Sequence, residues 1–462
     1  MKQRILIGIL ALLVFSCSHN AENETNNKST VIVRSSSHPF FWFYKGKNVL
    51  LLGGSNNDNL FQSPDATEQL DMLRTAGGNY VRNTMSSRDS GDVWPFGKTA
   101  DGLYDLDTWN EQYWQRFNTF LKETSERDII IQIEIWATFD FYRDSWDMNP
   151  YNPVNNINYD SRRSKLPESV PTHPIFTENN FFRSVPAQMA LAPVLWYQQQ
   201  FVDKLLSYSL AYPNVLYCMD NETSVTSDWG KFWANYIRKK AFEQGSVVET
   251  TEMWDPHDLS HAFHAETFDN PAIFTFVDIS QNNHMSSDEH WENGLKQFRH
   301  LELMGEVRPV NNVKVYGNDS GRHKTTRDGI ENFIQNVLMG CASTRFHRPT
   351  SGQGLNPAAL AVIKSMRELT DQMDFFNGEP HNDLLLEREP GEAYCRAVPS
   401  EEYTVYFPEG GKVMIDLTGF DHEPSIQWLN VLKVEWSEAK RLQRNIAEIS
   451  TPGAGHYVAL IK

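Results

Sequence analysis

An alternation of short apolar runs and amphipathic segments, between about residues 48 and 370, is the feature that most restricts the fold of this chain. Residues 215–219 show the unit: an apolar run suited to a buried strand, which stops abruptly on Asp220, Asn221 and Glu222. A helical pattern follows, with apolar residues at i, i+3, i+4, i+7 and i+8 from Trp229 to Ile237. A buried strand followed by a crossover helix is the repeating unit of parallel α/β folds.

Eight such runs lie along this stretch, with helical periodicity between them. They cover residues 48–52, 79–83, 129–136, 215–219, 247–253, 273–280, 313–319 and 342–347. Asn356 followed by Pro357 is a start signal for the last helix. Eight strands with crossover segments predict a (β/α)8 barrel, a TIM barrel, over residues 37–377. Such barrels build their sites at the carboxyl ends of the strands.

Residues 138–190 interrupt the alternation with many Asn, Pro, Asp and aromatic residues. A connection this long is usually functional or disordered, and its aromatic content argues against disorder. We expect it to form a lid or wall over the site.

The pattern changes after about residue 378. Short strand-like runs cover residues 393–398, 403–407, 412–417, 431–436 and 455–461, with Gly- and Pro-containing turns between them. They predict a small antiparallel β-sandwich over residues 378–462. The predicted fold class is therefore α/β, with a TIM barrel followed by this sandwich.

The N-terminus has the features of an export signal. Lys2 and Arg4 precede a short apolar stretch, residues 5–15, and the sequence that ends on Cys17 resembles a bacterial lipobox. We expect residues 1–16 to be a signal peptide, Cys17 to be lipidated and residues 17–36 to form a flexible tether. The protein would then be exported and lipid-anchored to a bacterial membrane, at the outer membrane, cell surface or periplasm. Ordinary secretion with cleavage nearby is the alternative.

The charge of the chain limits the kinds of partner it can bind, and the positions of its cysteines indicate their chemical state. The formal charge is −17 at pH 7, and loss of Lys2 and Arg4 with the signal makes it −17 − 2 = −19. With no basic run, nucleic acid is excluded as an expected partner. Cys218, Cys341 and Cys395 are expected to be buried free thiols.

Polar and aromatic side chains stand at or just after the predicted strand ends. A carboxylate in this position, Glu222 above all, is a candidate for catalysis, although a solvated loop carboxylate or helix cap is the alternative. The candidates for substrate binding are Asn57, Asp58, Arg82, Trp136, Asn221, Trp254, Asp278, Asn283, His284 and His347. For the polar candidates, the alternative role is turn formation. For the aromatic candidates, the alternative role is core packing. His257, His261 and His264 match no strong metal motif, so no metal or other cofactor is expected.

The chain resembles the cellulase-like clan, clan A, of retaining (β/α)8 glycoside hydrolases. Asn221-Glu222 matches the clan's Asn-Glu at the end of the fourth strand, and Arg82 matches its arginine after the second. The sandwich resembles a domain described as collagen-binding that often follows such barrels. The resemblance implies that Glu222 is the general acid/base and that Asn221 binds the sugar 2-hydroxyl. The acid role requires that the pKa of Glu222 be raised toward neutrality.

The seventh strand departs from the clan. The clan places a nucleophilic Glu at its end, whereas this chain reads Tyr-Gly-Asn-Asp-Ser-Gly over residues 316–321. Asp319 is the expected substitute, as nucleophile or as base for water, with a local turn as the alternative. Separations of about 5–5.5 Å and 6.5–9.5 Å between the two carboxyl groups distinguish retention from inversion. Asp278, Glu252 and Glu134 are reserve candidates for the second carboxylate.

Three functions follow from these expectations. The first is hydrolysis of O-glycosidic bonds in a poly- or oligosaccharide by two strand-end carboxylates. The second, permitted by the missing Glu, is a surface lipoprotein that binds glycan without cleaving it. The third is a polysaccharide lyase, which the strand-end carboxylates disfavour. The expected partners are a carbohydrate substrate and, through the lipid anchor alone, a membrane; the oligomeric state stays open.

Overall fold

The computed structural model describes residues 30–173 and 179–462. The predicted signal peptide and Cys17 lie outside the described residues. Ile32 is buried and its N–H donates to the Pro213 carbonyl at 2.8 Å. Val33–Arg34 pairs with Trp42–Tyr44 in a small antiparallel sheet that Lys47–Val49 completes. The folded chain therefore begins before residue 36, where the tether was expected to end.

Eight parallel strands form the barrel, as the alternation predicts. In chain order, β1 to β8 are Leu51–Gly54, Tyr80–Thr84, Ile130–Ala137, Val215–Asn221, Thr250–Thr251, Val277–Asp278, Val310–Val315 and Ser343–Phe346. Their order in the sheet is β5-β4-β3-β2-β1-β8-β7-β6. Hydrogen bonds between the segments of β5 and β6 close the circle, since the Thr275 N–H donates to the Thr250 carbonyl at 2.8 Å and the Thr251 hydroxyl to the Phe276 carbonyl.

One helix follows each strand. In chain order, α1 to α8 are Ala66–Thr75, Glu111–Glu126, Ala192–Ser209, Ser227–Glu243, Ala262–Phe268, Ser287–Met304, Thr326–Met339 and Pro357–Gln372. The Asn356 side chain accepts from the Ala359 N–H, so the predicted start signal of α8 is used as a cap. Among the described residues, no helix is long and apolar enough to span a membrane.

The β2–α2 and β3–α3 connections carry additional elements. A hairpin of Phe96–Lys98 and Tyr104–Trp109 precedes α2. Between β3 and α3 lie the helices Arg143–Met148 and Ser161–Ser164 and the 3-10 turns Thr138–Phe141 and Asn180–Arg183. Further 3-10 turns are Leu60–Gln62, Ser280–His284, Gly321–His323 and Asn382–Leu384. The described part of the predicted wall therefore contains short helices and 3-10 turns.

The C-terminal part is an antiparallel β-sandwich, as predicted. Its main strands, β9 to β14, are Tyr394–Val398, Glu402–Phe407, Lys412–Asp416, Ser425–Asn430, Ile446–Ser450 and Tyr457–Ile461. One sheet has the order β9-β10-β14-β12, with Glu379–Pro380 at one edge and Glu435–Trp436 and Lys440–Arg441 beside β12. The other contains Leu385–Leu386, β11 and β13. Residues 431–436, predicted as a strand, mostly form a turn, whereas β12 and β13 were not predicted.

One face of the sandwich packs into the hydrophobic core of the barrel, and a separate apolar cluster fills the interior of the sandwich. Tyr394, Tyr406, Val431 and Val458 of the sandwich are buried in the same apolar cluster as the barrel helices. The Tyr394 hydroxyl donates to Glu331 of α7 at 3.1 Å. Cys218, Cys341 and Cys395 are buried free thiols, which confirms that prediction. One sheet of the sandwich is therefore buried against the barrel helices.

Candidate active site

Glu222 lies at the centre of the carboxyl-end face of the barrel. It follows β4 directly, in the left-handed backbone region at φ 57°, and its exposure is 7 %. A residue other than glycine in this region is strained, and such strain is concentrated at functional sites. The backbone therefore directs this carboxylate inward at a local energetic cost.

Three side chains from β7 and from the segments that follow β6 and β7 contact the same oxygen of Glu222. The Lys314 ammonium of β7 forms a very short ion pair with Oε1. Tyr316 donates its hydroxyl to Oε1 at 3.4 Å and Gln281 its amide at 3.3 Å. Lys314 also lies 3.4 Å from Asn221 Oδ1, so the Asn-Glu pair of β4 is held by one lysine.

These contacts determine the protonation state of Glu222. Burial alone raises the pKa of its carboxyl, but the Lys314 charge and hydrogen bond, with help from Arg82 and Gln281, bring that pKa to about 2. The carboxylate is therefore an anion throughout the physiological range. The expectation of a raised pKa, which the general-acid role needs, is wrong, because Lys314 of β7 places a positive charge beside this carboxylate.

A second carboxylate, Asp255, lies beside Glu222 at the end of the next strand. The Asp255 N–H donates to the Thr223 carbonyl at 2.9 Å, which joins the two strand ends. The Ser224 hydroxyl donates to Asp255 Oδ2 at 3.2 Å. Burial and the negative charge of Glu222 raise the pKa of Asp255, while His173 and Lys314 act in the opposite direction. The two neighbouring carboxyl groups thus have pKa values moved apart.

Asp319 does not lie with them. Its side chain is exposed and accepts from the Thr326 N–H at 2.8 Å and the Thr326 hydroxyl at 2.5 Å, at the start of α7. These hydrogen bonds lower its pKa. The expectation that Asp319 is the catalytic partner of Glu222 is corrected, because β7 ends at Val315 and the chain has turned outward before residue 319. A local turn, the alternative, is present and is made by Asn318, which accepts from the Ser320 N–H.

Asp58 is the centre of a cluster of basic side chains. Arg82 donates to its Oδ1 at 2.8 Å, while Arg88 and Arg348 lie 3.3 and 3.2 Å from its Oδ2. His347 Nε2 is 3.5 Å from Oδ1. Burial opposes ionisation of Asp58, but the charges of the three arginines hold its pKa well below the ordinary value. Asp58 is therefore occupied as a structural anion.

Arg82 connects this cluster to the barrel interior. Its Nε lies 3.2 Å from Glu134 Oε1, and both side chains are fully buried. Burial raises the pKa of Glu134 to about 7, although Arg82 and Lys314 lower it. Glu134 is thus a partner of Arg82 beneath the site.

Aromatic rings line two sides of Glu222. Tyr316 packs against His284, His347 and His323 at 4.6, 5.3 and 5.6 Å, and His257 stacks on His284 at 3.5 Å. Burial lowers the pKa of His284 to about 3, and that of His347 to well below its ordinary value. Both imidazoles are neutral in the physiological range.

The other side is formed by the β3–α3 connection. Phe139, Tyr142 and His173 pack on one another at 5.1 to 5.9 Å, and each ring is partly exposed. Burial raises the pKa of Tyr142, and the charges of Glu222 and Asp255 add to this effect against nearby arginines. The predicted wall therefore lies beside the carboxylate pair.

Trp136 and Trp254 do not present rings to a ligand. Trp136 is 3 % exposed and packs among Phe181, Phe201 and Trp233. Trp254 is 1 % exposed and donates its indole N–H to Thr267 at 2.7 Å. Their expected stacking on sugar is corrected, because both rings point into the packing around the barrel; core packing was the alternative.

Several other candidates for substrate binding form hydrogen bonds within the protein instead. Asn57 accepts from Gln69 at 3.0 Å, and Asn283 donates to the Ser280 carbonyl and Asn312. Asp278 accepts from the Ser280 N–H at 2.8 Å, and burial raises its pKa to about 6. Asn283 and Asp278 are buried, so neither presents a group to a ligand at the surface.

Glu252, a reserve candidate, is also buried. It accepts from the Asp220 N–H at 2.9 Å, which ties β5 to β4. In the part of the chain that the structure describes, no group of three or more His, Cys, Asp or Glu side chains is arranged to hold a metal ion.

Lys314, Tyr316, Asp255 and Arg88 were missed from the sequence. A signal existed for Lys314, because a lysine inside an apolar strand is almost never fully buried unless it is paired. Asp255 also ends a predicted strand run, next to Trp254. Arg88 had no signal, since it lies beyond the end of β2 in an irregular segment.

Solved structures of glycoside hydrolases share this fold. A glycoside hydrolase family 5 protein from Bacteroides vulgatus aligns with a TM-score of 0.62 over 95% of this chain and 93% of its own, at 12% identity. Another glycoside hydrolase aligns at 0.63 over 95% and 97%, at 10% identity. An endo-1,4-β-mannanase from Rhizomucor miehei aligns at 0.51 over 74% and 100%, at 11% identity. No family model and no curated protein matches the sequence. The likeness shows the fold.

Proposed function

We propose that the protein hydrolyses glycosidic bonds with Glu222 and Asp255 as its two carboxylates. The observation that carries the proposal is the pair of adjacent strand-end carboxyl groups whose pKa values are moved in opposite directions. Such a pair divides into an ionised and a protonated member at one pH, which is what acid-assisted bond cleavage requires. The fold shared with glycoside hydrolases supports the same chemistry by analogy.

Glu222 is the ionised member. Its negative charge stabilises the oxocarbenium-like centre, or its oxygen attacks that centre directly. Lys314 and Tyr316 hold Oε1, so Oε2 is the oxygen available to the sugar. The role differs from the one implied by the resemblance, in which the Glu after Asn221 donates a proton.

Asp255 is the proton donor. Its partial burial and the negative charge of Glu222 favour the protonated form that a leaving-group oxygen needs. Tyr142 and His284, with partly exposed rings near the pair, provide surfaces for the sugar ring.

The experiment compares Glu222→Gln, Asp255→Asn and Asp319→Asn on a panel of glycans and on aryl glycosides. Asp255→Asn lowers turnover by roughly 10²–10⁴-fold, the usual contribution of general acid catalysis. That loss shrinks for aryl glycosides with a good leaving group, because protonation then matters less. Glu222→Gln is damaging whatever the leaving group.

Asp319→Asn is the matched control, since this carboxylate lies outside the pair and should leave turnover within about twofold of wild type. If Asp319→Asn abolished turnover while Asp255→Asn did not, the assignment to Asp255 would be wrong. Unsaturated uronates among the products would indicate elimination by a lyase.

Glycan binding without hydrolysis is the second candidate. The Lys314–Glu222 ion pair favours it, because a neutralised carboxylate is a weaker nucleophile and a weaker stabiliser of positive charge. In that case wild type and Glu222→Gln bind the same glycan, and neither releases reducing ends.

We also propose that the enzyme acts as an exported lipoprotein on carbohydrate at a bacterial membrane surface, with the sandwich as a support of the barrel. The export signal and Cys17 motivate the location. The lack of a catalytic carboxylate pair in the predicted sandwich motivates the supporting role.

A further inference from the structure

Two arginines converge on the rim of the site from opposite sides. Arg88 follows β2 and Arg348 follows β8, and both guanidinium groups approach Oδ2 of Asp58, at 3.3 and 3.2 Å. Arg82 occupies the other oxygen from below at 2.8 Å. The two guanidinium groups therefore share one carboxylate oxygen as their common ion partner.

Both guanidinium groups retain unused donors. A guanidinium carries five N–H donors. Arg88 approaches Asp58 through one terminal nitrogen, and Arg348 approaches it through Nε, so the other nitrogens of each guanidinium lie outside this contact. The side chains are 13 % and 27 % exposed. Each arginine is thus held in place by Asp58 and still presents donors to solvent.

The pair adjoins the proposed catalytic carboxylates. The Arg88 guanidinium lies 5.5 Å from the ring centre of Phe139, which packs on Tyr142. Arg348 follows His347, whose ring is 5.3 Å from Tyr316, and Tyr316 hydrogen-bonds Glu222. A sugar placed between Tyr142 and Glu222 therefore has the two arginines on its β1, β2 and β8 side.

The surrounding carboxylates do not satisfy both arginines. Asp89 lies 3.8 Å from Arg348 Nη1 and is partly exposed, and Asp140, whose charge acts on Arg88, accepts from the Ser86 hydroxyl at 2.7 Å. Glu134 faces Arg82 below. Arg345, buried behind Asp58 at 3.9 Å, adds a further positive charge to the cluster.

We infer that Arg88 and Arg348 bind an anionic substituent of the glycan, the carboxylate of a uronosyl unit, next to the bond that the proposed enzyme cleaves. Planar guanidinium groups match the geometry of carboxylates, and two of them fixed by a common anion are pre-organised for it. A sulfate ester presents the same oxygen chemistry. The inference rests on the proposed function, because it places this group in the same site.

The test measures binding by calorimetry, which needs no turnover. The probes are oligogalacturonate, oligomannuronate and a glucuronate-containing oligosaccharide, each beside its carboxyl-reduced counterpart, and a sulfated neutral oligosaccharide. The best acidic oligosaccharide should bind wild type at least about tenfold more tightly than its reduced form, the scale of one charge-assisted hydrogen bond. Preference for the sulfated probe over all uronates would identify the ester as the source.

Arg88→Gln and Arg348→Gln should each remove most of this preference and leave the affinity for the reduced oligosaccharide unchanged. Arg441→Gln, an exposed arginine of the sandwich, is the control and keeps the preference. Equal binding of acidic and reduced forms, or no binding of any anionic probe, overturns the inference.

The outcome is separable from that of the proposed function. Cleavage of a neutral glycan without any anionic preference refutes this inference alone. An arginine-dependent preference without any released reducing end refutes hydrolysis alone.

Discussion

Replacing Lys314 by Met tests whether this lysine sets the charge of Glu222. Methionine keeps an unbranched chain of similar length and removes the ammonium. Glu222 then retains its burial, the Tyr316 and Gln281 hydrogen bonds, and the more distant Arg82. Since burial acts upward on the pKa of Glu222, we expect that pKa to return to its ordinary value of 4.5 or to rise above it.

The magnitude follows from the pKa of Glu222. The difference between 4.5 and about 2 is about 2.5, and at ~1.36 kcal/mol per pKa unit it corresponds to about 3 kcal/mol. Breaking a buried ion pair by removal of one partner costs roughly 3–5 kcal/mol, which agrees. We therefore expect Lys314→Met to lower the free energy of unfolding by about 3 kcal/mol at pH 7.

The pH dependence distinguishes this effect from a packing defect. Because the folded-state pKa of Glu222 lies below the unfolded-state value, its ionisation stabilises the wild type above pH 4.5. That contribution is lost as the pH falls from 4.5 to about 2. Urea unfolding at several pH values should therefore show the stability difference between wild type and Lys314→Met narrowing as the pH falls below 4.5.

Infrared spectroscopy provides a direct readout. At pH 4 to 5 the difference spectrum between Lys314→Met and wild type should show an additional protonated-carboxyl band, which the double variant Lys314→Met, Glu222→Gln should not show. Lys412→Met, which breaks the exposed pair with Glu448 at 2.8 Å, is the control and should cost almost nothing. A stability difference that does not change with pH, together with the absence of the band, would refute the reasoning.

Two further predictions concern other parts of the chain. Burial raises the pKa of Glu331 to about 7, against the lowering effect of Arg327 and Tyr394, so the stability it contributes below pH 4.5 is lost as the pH rises through 7. Glu331→Gln keeps an acceptor for Tyr394 and should reduce the fall in thermal unfolding midpoint between pH 5.5 and 8.5; an unchanged fall would contradict this. Cys17→Ala should release the protein from the membrane fraction, and a variant that stayed firmly membrane-bound would exclude the lipid anchor, since stable anchoring depends on acyl chains.

Much of the fold was predictable because it depends on local patterns. The apolar run of β4, the periodicity of α4 and the cap of α8 each follow from neighbouring residues. The limits of β5 and β6 were not predictable. In each strand only two residues form sheet hydrogen bonds, although the apolar run around them is longer. Pairing depends on the position of the neighbouring strand, which a single run does not contain.

The site was predictable where one residue carries the information. Glu222 follows from its place after a buried strand. The identity of its partners did not follow, because Lys314, Gln281 and Asp255 come from three other strand ends and their meeting depends on barrel register. Asp319 was a reasonable candidate by position. Its side chain instead accepts a hydrogen bond from the N–H of Thr326, seven residues later, which holds it away from the barrel centre.

The position of β14 affects how the protein can be made. This strand, Tyr457–Ile461, lies between β10 and β12 in its sheet, and Val458 and Leu460 are part of the core shared with the barrel. A ribosome completes β14 after every other described element, so β10 and β12 each lack one of their pairing partners until synthesis reaches it. Removal of residues 457–462 would therefore take away the strand that joins β10 to β12.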